Sequence, residues 1–229
     1  LIIVGSGAIG MEFASFYNDL GVDVTIIESL PSILPNEDID ISKIVKANFE
    51  KRGIKIKTNA TLKAVSNKTN SISAEIFING KVEIINSEKL ILAIGIIANT
   101  EKLGLENFKI KIDKGHIVTN EFLETDEKGI YAIGDVTKGP WLAHKASHEG
   151  ILCVENIAGH KDLIPIDKTS IPGCTYCRPQ VASIGMTEAQ ARSNNLNLKI
   201  GKFPFIGNGK AIALGESEGL IKTIFDKDT

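Results

Sequence analysis

Gly5, Gly7 and Gly10 stand in the spacing G-x-G-x-x-G, between the apolar run Leu1–Val4 and a stretch with helical periodicity. That spacing suits a pyrophosphate. The first glycine permits a tight turn, the second lets backbone approach the phosphates, and the third lets a helix pack closely on a strand. The helix start would add unpaired amides and the positive end of its dipole. Glu28 ends the next apolar stretch, Val24–Ile27, where a carboxylate could accept hydrogen bonds from both ribose hydroxyls of a dinucleotide. It would also repel a 2′-phosphate, and Ser29 to Asn36 contain no lysine or arginine to welcome one. The pattern points to NAD rather than NADP. Without the glycines, Glu28 would read as an ordinary solvated acid at a strand end. Glu12, early on the helix, fits either a contact near the ligand or plain surface charge.

A second group lies further along the chain. Asp135 follows the apolar stretch Ile130–Ile133 and Gly134, a setting suited to accepting hydrogen bonds from a sugar-like chain. Taken alone, it fits a helix N-cap equally well. The turn and helix start from Gly139 to Ala146 would aim free amides at a negative charge. Cys174-x-x-Cys177 has the spacing of a redox pair, but such a pair wants its first thiol at a helix N-terminus. Here Pro172 and Pro179 bracket it in a loop entering a strand, so both cysteines are expected to pack as small hydrophobes. His144 and His148 are spaced to share a helix face, yet no third ligand is evident and no metal is expected.

The elements that must hold these residues can be read from periodicity. Strand, glycine turn, helix (Ile9, Phe13, Phe16, Tyr17 and Leu20 at helical spacing, closed by Gly21) and strand form a βαβ unit. A helix over about Ile39–Arg52 should bury Ile41, Ile44, Val45 and Phe49 and stop at Gly53. Short strands follow near Ile54–Thr58, Leu62–Ser66, Ser73–Ile78 and Val82–Ile85, with Asn79-Gly80 as a hairpin turn, and then a parallel-type strand at Leu90–Ile94. Beyond it come a strand at Ile130–Ile133 and a helix at about Leu142–Ala158. Strands near Gln180–Ile184, Lys199–Pro204 and Ile221–Phe225 then flank a helix opened by the capping box Thr187-x-x-Gln190. The class is α/β.

Composition narrows the function. The 26 lysines and arginines are scattered and balanced by 28 acids, which gives no reason to expect a nucleic-acid partner. The longest apolar run, Leu90–Ala98, is far short of the roughly 17–25 residues of a spanning helix, so no membrane is expected. Three cysteines are too few for a disulfide scaffold and favour a reducing, cytoplasmic setting. The chain opens mid-strand at Leu1 and stops after Ile221–Phe225 and the start of a turn, which reads as a piece of something longer.

The motifs together resemble the flavin-dependent pyridine-nucleotide disulfide oxidoreductases, and among them the dihydrolipoyl dehydrogenases. The resemblance rests on Tyr131-Ala-Ile-Gly-Asp135-Val136, Leu142-Ala-His-Lys-Ala146 with Glu149-Gly150, Ile171-Pro172 followed by Tyr176 through Gly185, and Phe203-Pro-Phe205 through Gly219. It covers essentially the whole chain. It implies a Rossmann-like NAD-binding domain at 1–98, the returning half of an FAD-binding domain at 99–165, and the start of a mixed α/β dimerisation (interface) domain at 166–229. NAD would be held by Gly5, Ser6, Gly7, Ala8, Ile9, Gly10, Met11, Glu12, Glu28, Val65 and Gly95. FAD would be held by Asp135, at the ribitol, and by Trp141, Leu142, Ala143 and His144, whose helix start would stabilise negative charge on the reduced flavin.

Two departures stand out: Gly95-Ile96-Ile97-Ala98-Asn99 where the family reads Gly-Arg-x-Pro-Asn, and His148 where many relatives carry an acid. The resemblance places the family's redox-active cysteine pair and first flavin glycine motif before Leu1, and its catalytic His and Glu after Thr229. No catalytic residue is therefore expected within the chain. The implied activity is oxidation of dihydrolipoamide, carried on a lipoyl domain of a 2-oxo acid dehydrogenase complex, by a homodimeric enzyme. A related disulfide reductase, a soluble transhydrogenase or a purely nucleotide-binding piece are the alternatives.

Overall fold

The computed structural model describes residues Leu1–Thr229. Packing divides them into two units, one of Leu1–Gly95 with Cys174–Thr229 and one of Ile96–Gly173. The first unit opens with β1 (Ile2–Val4), α1 (Ala8–Asp19), β2 (Thr25–Ile27), α2 (Ile39–Lys51) and β3 (Lys55–Lys57). Three longer strands follow, β4 (Ala60–Lys68), β5 (Ser71–Ile78) and β6 (Lys81–Ser87), and then β7 (Leu90–Leu92). A parallel sheet forms in the order β3-β2-β1-β7, while β4, β5 and β6 make an antiparallel sheet of their own.

Both faces of the parallel sheet are covered at its centre, which is why β1 and the buried end of β2 are continuous apolar runs, whereas the edge strand β3 (Lys55-Ile56-Lys57) alternates. Ile3 and Ile26 pack with Met11 and Ala14 of α1 and Val45 and Phe49 of α2. Ile2, Val4 and Ile27 point the other way, onto Ala60, Ala74, Ile76 and Ile78 of the antiparallel sheet. The turn joining β5 to β6 places Asn79 and Gly80 at φ 52° and 77°, the left-handed pair that a tight hairpin requires. Helix α2 is capped by Asp38, which accepts from the Asp40 amide, and it ends at a left-handed Gly53.

Helix α1 differs from the sequence expectation in the face it buries. Gly10, Met11, Ala14 and Ser15 are buried, Met11 and Ala14 against Ile3 and Ile26, whereas Ile9, Phe13, Phe16 and Leu20 are exposed. The close helix–strand approach falls at Gly10 itself, where a Cβ would lie 2.0 Å from the Gly5 oxygen, and Met11 and Ala14 fill the core on the same side.

The second unit contains β8 (Ile112–Asp113), β9 (His116–Ile117) and α3 (Ala143–Ile157), around a small core of Leu123, Leu152 and Cys153. The strand expected at Ile130–Ile133 is not formed. A single bridge joins Tyr131 to Glu124, and the backbone bonds of this stretch go to the turn Leu123–Glu127. An apolar run becomes a strand only beside a ladder of partners, and here it has one rung.

The remaining elements are β10 (Gly173–Thr175), β11 (Val181–Ser183), α4 (Glu188–Ser193), β12 (Leu198–Pro204), α5 (Gly209–Ala213) and β13 (Leu220–Asp226). β12 and β13 pair antiparallel, and Thr187 and Gln190 form the expected capping box on α4. No helix is long and apolar enough to cross a membrane.

Residues 174–229 are pinned to the parallel-sheet part of their unit by buried and charged groups. Cys177 and Val181 enter the core of Ile3 and Phe49. Arg52 donates to the Arg178 carbonyl (2.6 Å) and pairs with Asp19 (2.6 Å), and the Arg178 amide donates to Ser15 Oγ (3.0 Å). Lys222, buried apart from 3% of its side chain, lies 2.7–2.8 Å from Asp38, Asp40 and Glu188.

Lys202 and Lys222 together hold the Asp40 carboxyl down to about 2, and hydrogen bonds from Lys222 outweigh burial to hold Asp38 below its ordinary value. Carboxylates lowered in this way stabilise the fold above their unfolded value of about 4 and lose that contribution as pH falls through the folded value. Lys222→Met should therefore lower the urea midpoint at pH 7. The loss should fall below the roughly 3–5 kcal/mol of a fully buried pair, because the carboxylates reach solvent in part. The variant should also flatten the decline in wild-type stability between pH 4 and 2. Urea melts at pH 7 and pH 3 check this, and an acid limb of unchanged steepness contradicts it.

Candidate functional site

The glycine turn sits between β1 and α1, at the carboxyl ends of β1, β2 and β7. Two of its glycines are required by the protein's own packing. A Cβ on Gly5 would lie 2.3 Å from the Ala93 carbonyl oxygen, and one on Gly10 would lie 2.0 Å from the Gly5 oxygen. Gly7 is different. Its φ of −68° suits any residue, and no protein atom lies within 4 Å of where its Cβ would be. The missing side chain leaves clear the space in front of α1, whose first turn carries no side-chain cap and so presents free amides.

Glu28 lies beside this turn and is buried. Its Oε2 accepts from the Ser6 amide (2.9 Å) and the Ser6 hydroxyl (2.6 Å), and its Oε1 accepts from the Leu30 amide (2.8 Å) and the Ser29 hydroxyl (3.2 Å). Burial pushes the carboxyl upward, but the donors from Ser6, Leu30 and Ser29 outweigh it and hold Glu28 below its ordinary value. The group is a fixed anion. Glu12 accepts from the Tyr176 amide (2.7 Å) through Oε1, so one of its oxygens anchors the following loop. Of the other expected NAD residues, Ala8 and Ile9 are exposed on the first turn of α1, and Met11 is fully buried in the core. Met11 can thus offer only backbone. Val65 is exposed on β4 opposite Ala74, and Gly95 is exposed at φ 134°.

The second expected site is built on α3. Asp135 is exposed at the middle of a short 3-10 turn, Gly134–Val136. A buried ion pair within α3 holds that turn. Lys145 Nζ lies 2.9 Å from Glu149 Oε1, with both side chains at most 3% exposed. Glu149 Oε2 accepts from the Gly134 amide (2.7 Å), and Lys145 donates to Thr137 Oγ1 (3.2 Å). Thr137 in turn donates its hydroxyl to the Gly134 carbonyl (2.7 Å). Trp141 donates to the Thr137 carbonyl (3.1 Å) and stacks on His116. Leu142 precedes α3 without a side-chain cap, Ala143 is exposed, and His144 Nε2 lies 2.8 Å from the Pro172 carbonyl.

The sequence reading assigned no role to Lys145 or Glu149. Their signal was present, since they occupy the same helical stripe as Leu152 and Cys153 at steps of four and three. The two cysteines of the Cys-x-x-Cys also separate. Cys177 is buried, and burial pushes its thiol up to about 11, whereas Cys174 is exposed on β10. The expectation that both pack as hydrophobes therefore holds for Cys177 alone. Alternation along the short strand turns Cys174 outward while Thr175 is buried.

Comparison with known proteins bears on both sites. Residues 1–150 match the model of the pyridine nucleotide-disulphide oxidoreductase family, and residues 171–229 match that family's dimerisation domain. The chain belongs to the pyridine nucleotide-disulphide oxidoreductase family. It is 51% identical to a dihydrolipoyl dehydrogenase of Rhizobium etli and 46% identical to one of Bacillus subtilis. Each match covers all of this chain and 48% of the relative. The chain thus spans about half the length of the curated relatives it matches. Among solved structures, LpdA from Mycobacterium tuberculosis superposes with a TM-score of 0.89 at 27% identity, over all of this chain and 49% of LpdA. A Cu(II) complex of RclA, the HOCl-induced flavoprotein disulfide reductase of Escherichia coli, gives 0.90 at 28% identity, over all of this chain and 51% of RclA. These family members support the mixed α/β architecture with its parallel sheet.

Family membership makes the cysteines a direct check on the site. With its thiol near 11, Cys177 is almost wholly protonated at pH 8, and burial also raises Cys153. A chromogenic disulfide reagent at pH 8 should titrate one thiol quickly in the native chain and three after denaturation, and Cys174→Ser should abolish the fast phase. Two fast thiols would restore a redox role for the pair.

Proposed function

We propose that the chain carries the NAD-binding domain (1–98), the returning half of the FAD-binding domain (99–165) and the opening of the interface domain (166–229) of a dihydrolipoyl dehydrogenase. The observation that carries this is Gly7. Its missing side chain serves no contact within the protein, and it clears the approach to the uncapped start of α1 beside a fixed anion at Glu28. A pyrophosphate at the helix start and a ribose at Glu28 meet both features, and the anion disfavours a 2′-phosphate. On the flavin side, Asp135 offers a solvent-facing carboxylate on a braced turn, and the uncapped start of α3 offers amides to negative charge. Bound FAD would supply the passage of an electron pair from a dithiol to NAD.

The residues of this chain bind and orient. Gly5 to Glu12, Glu28, Val65 and Gly95 would hold NAD, and Asp135 with Trp141 to His144 would hold FAD. The substrate would be dihydrolipoamide on a lipoyl domain of a 2-oxo acid dehydrogenase complex. The match to the dimerisation domain supports a homodimer, and the free cysteines Cys153, Cys174 and Cys177 support a reducing, cytoplasmic setting. The likeness to RclA favours a second reading, a disulfide reductase with another substrate. The higher identity to dihydrolipoyl dehydrogenases weighs against it.

The full-length protein should reduce NAD with dihydrolipoamide and should use NADP poorly. Glu28→Ala should weaken NAD by about 1–3 kcal/mol, the cost of losing a charged hydrogen-bond partner. Asp135→Ala should lower the flavin-to-protein absorbance ratio after gel filtration. Efficient turnover with a different disulfide and none with dihydrolipoamide would transfer the assignment to the second reading. Equal affinity for NAD and NADP by calorimetry would remove the role given to Glu28.

A further inference from the structure

We propose that the two carboxylate oxygens of Glu28 have different functions, with Oε2 locked in place by Ser6 and Oε1 reserved for a single ribose hydroxyl that replaces the hydroxyl of Ser29. This rests on the reading of Glu28 as the ribose acceptor, and it makes Ser6 a positioning residue for dinucleotide selectivity.

A carboxylate offers about four acceptor positions. All four are taken, by the Ser6 amide, the Ser6 hydroxyl, the Leu30 amide and the Ser29 hydroxyl. A ribose can therefore bind only by displacing one of them, and they are not equally displaceable. The two amides are fixed by the backbone. Ser6 is fully buried, and its hydroxyl makes the shortest of the four bonds, 2.6 Å. Driven off Glu28, that hydroxyl would be a buried donor without a partner. Ser29 is exposed and its bond is the longest, 3.2 Å, so its hydroxyl passes to water at little cost. The exchangeable position is on Oε1.

The same geometry explains why serine is useful between the first two glycines. Its amide and hydroxyl grip one oxygen from a single residue, and its own carbonyl accepts from the Leu34 amide (2.9 Å). The grip fixes the carboxylate plane before any nucleotide arrives. A ligand that finds its acceptor already oriented spends less of its binding energy on ordering it. A ribose bearing a 2′-phosphate meets an anion that cannot turn away. Loss of the Ser6 hydroxyl would free Glu28 to rotate, which weakens the attraction for a ribose hydroxyl and relaxes the repulsion of the phosphate.

Calorimetry on the full chain, with NADH and NADPH as probes, separates the possibilities. Ser6→Ala should weaken NADH about tenfold (~1.4 kcal/mol) and leave NADPH within about twofold, so the preference for NADH collapses. Damage to the fold would weaken both nucleotides alike, and that result overturns the proposal. Ser29→Ala, at an exposed position that tolerates the change, should bind NADH at least as tightly as wild type and up to about threefold more tightly. Weakening by Ser29→Ala to the extent of Ser6→Ala would contradict the unequal roles of the two oxygens. Glu28→Gln tests the underlying reading separately. If it leaves the ratio of the two affinities unchanged, Glu28 is not the ribose acceptor. If it abolishes the preference while Ser6→Ala does not, the acceptor stands and the positioning role of Ser6 falls.

Discussion

The backbone of Gly10 lies against the carbonyl of Gly5, and Gly5 lies against the carbonyl of Ala93, each too close for a side chain. Much of the first unit depends on that double approach. It brings the start of α1 directly over the carboxyl ends of β1 and β7, on either side of which the sheet runs to β2 or ends. Such a crevice is where open parallel sheets bind ligands. The approach also forces Ser6 inward, next to the end of β2, where it meets Glu28. It decides which face of α1 is buried as well. With the axis so near the sheet, Gly10 fits beneath while Met11 and Ala14 enter the core, and Ile9, Phe13, Phe16 and Leu20 point away.

The second unit solves its positioning problem with charge. Burying a lysine and a glutamate is costly, and such pairs are seldom worth more than apolar packing of equal volume. What Lys145 and Glu149 add is direction. Each carries a further bond to the Gly134–Thr137 turn, so the turn and the helix cannot shift independently without leaving a buried charge unpaired. That penalty is steep and directional, whereas a hydrophobic contact would let the turn slide. The result is a rigid seat for an exposed aspartate.

Features governed by neighbours in sequence were legible in advance. The glycine turn, the buried runs of the parallel sheet, the Asn79-Gly80 hairpin, the stop at Gly53 and the box at Thr187 each follow from a local rule. The features that escaped depend on distant partners. Nothing around Ile130–Ile133 announces that it will find only one rung of a ladder. Nothing near Asp38 foretells Lys222, and the different fates of Cys174 and Cys177 turn on the loop after β10 carrying Cys177 into the core of Ile3 and Phe49 while Cys174 stays exposed on the strand. At the proposed nucleotide site, the type and place of Glu28 could be read. The hydroxyl of Ser6 could not, since serine in a turn is unremarkable until its direction is known.

Three acids in this chain are withdrawn from water, and their partners tell their roles apart. Glu149 faces Lys145, and Asp38 faces Lys222, so each is neutralised locally and serves to join segments. Glu28 has only amides and hydroxyls around it, and no cation bridges to it. Neutral donors stabilise its ionised form without cancelling its charge, so its field extends toward the glycine turn. A lysine in the place of Ser6 would hold the carboxylate as firmly, but it would cancel the charge that, in the function proposed above, repels a 2′-phosphate. Selectivity of the kind proposed for this site would therefore require an anion that is fully hydrogen-bonded by the protein and left uncompensated, and the four neutral donors around Glu28 provide such an anion.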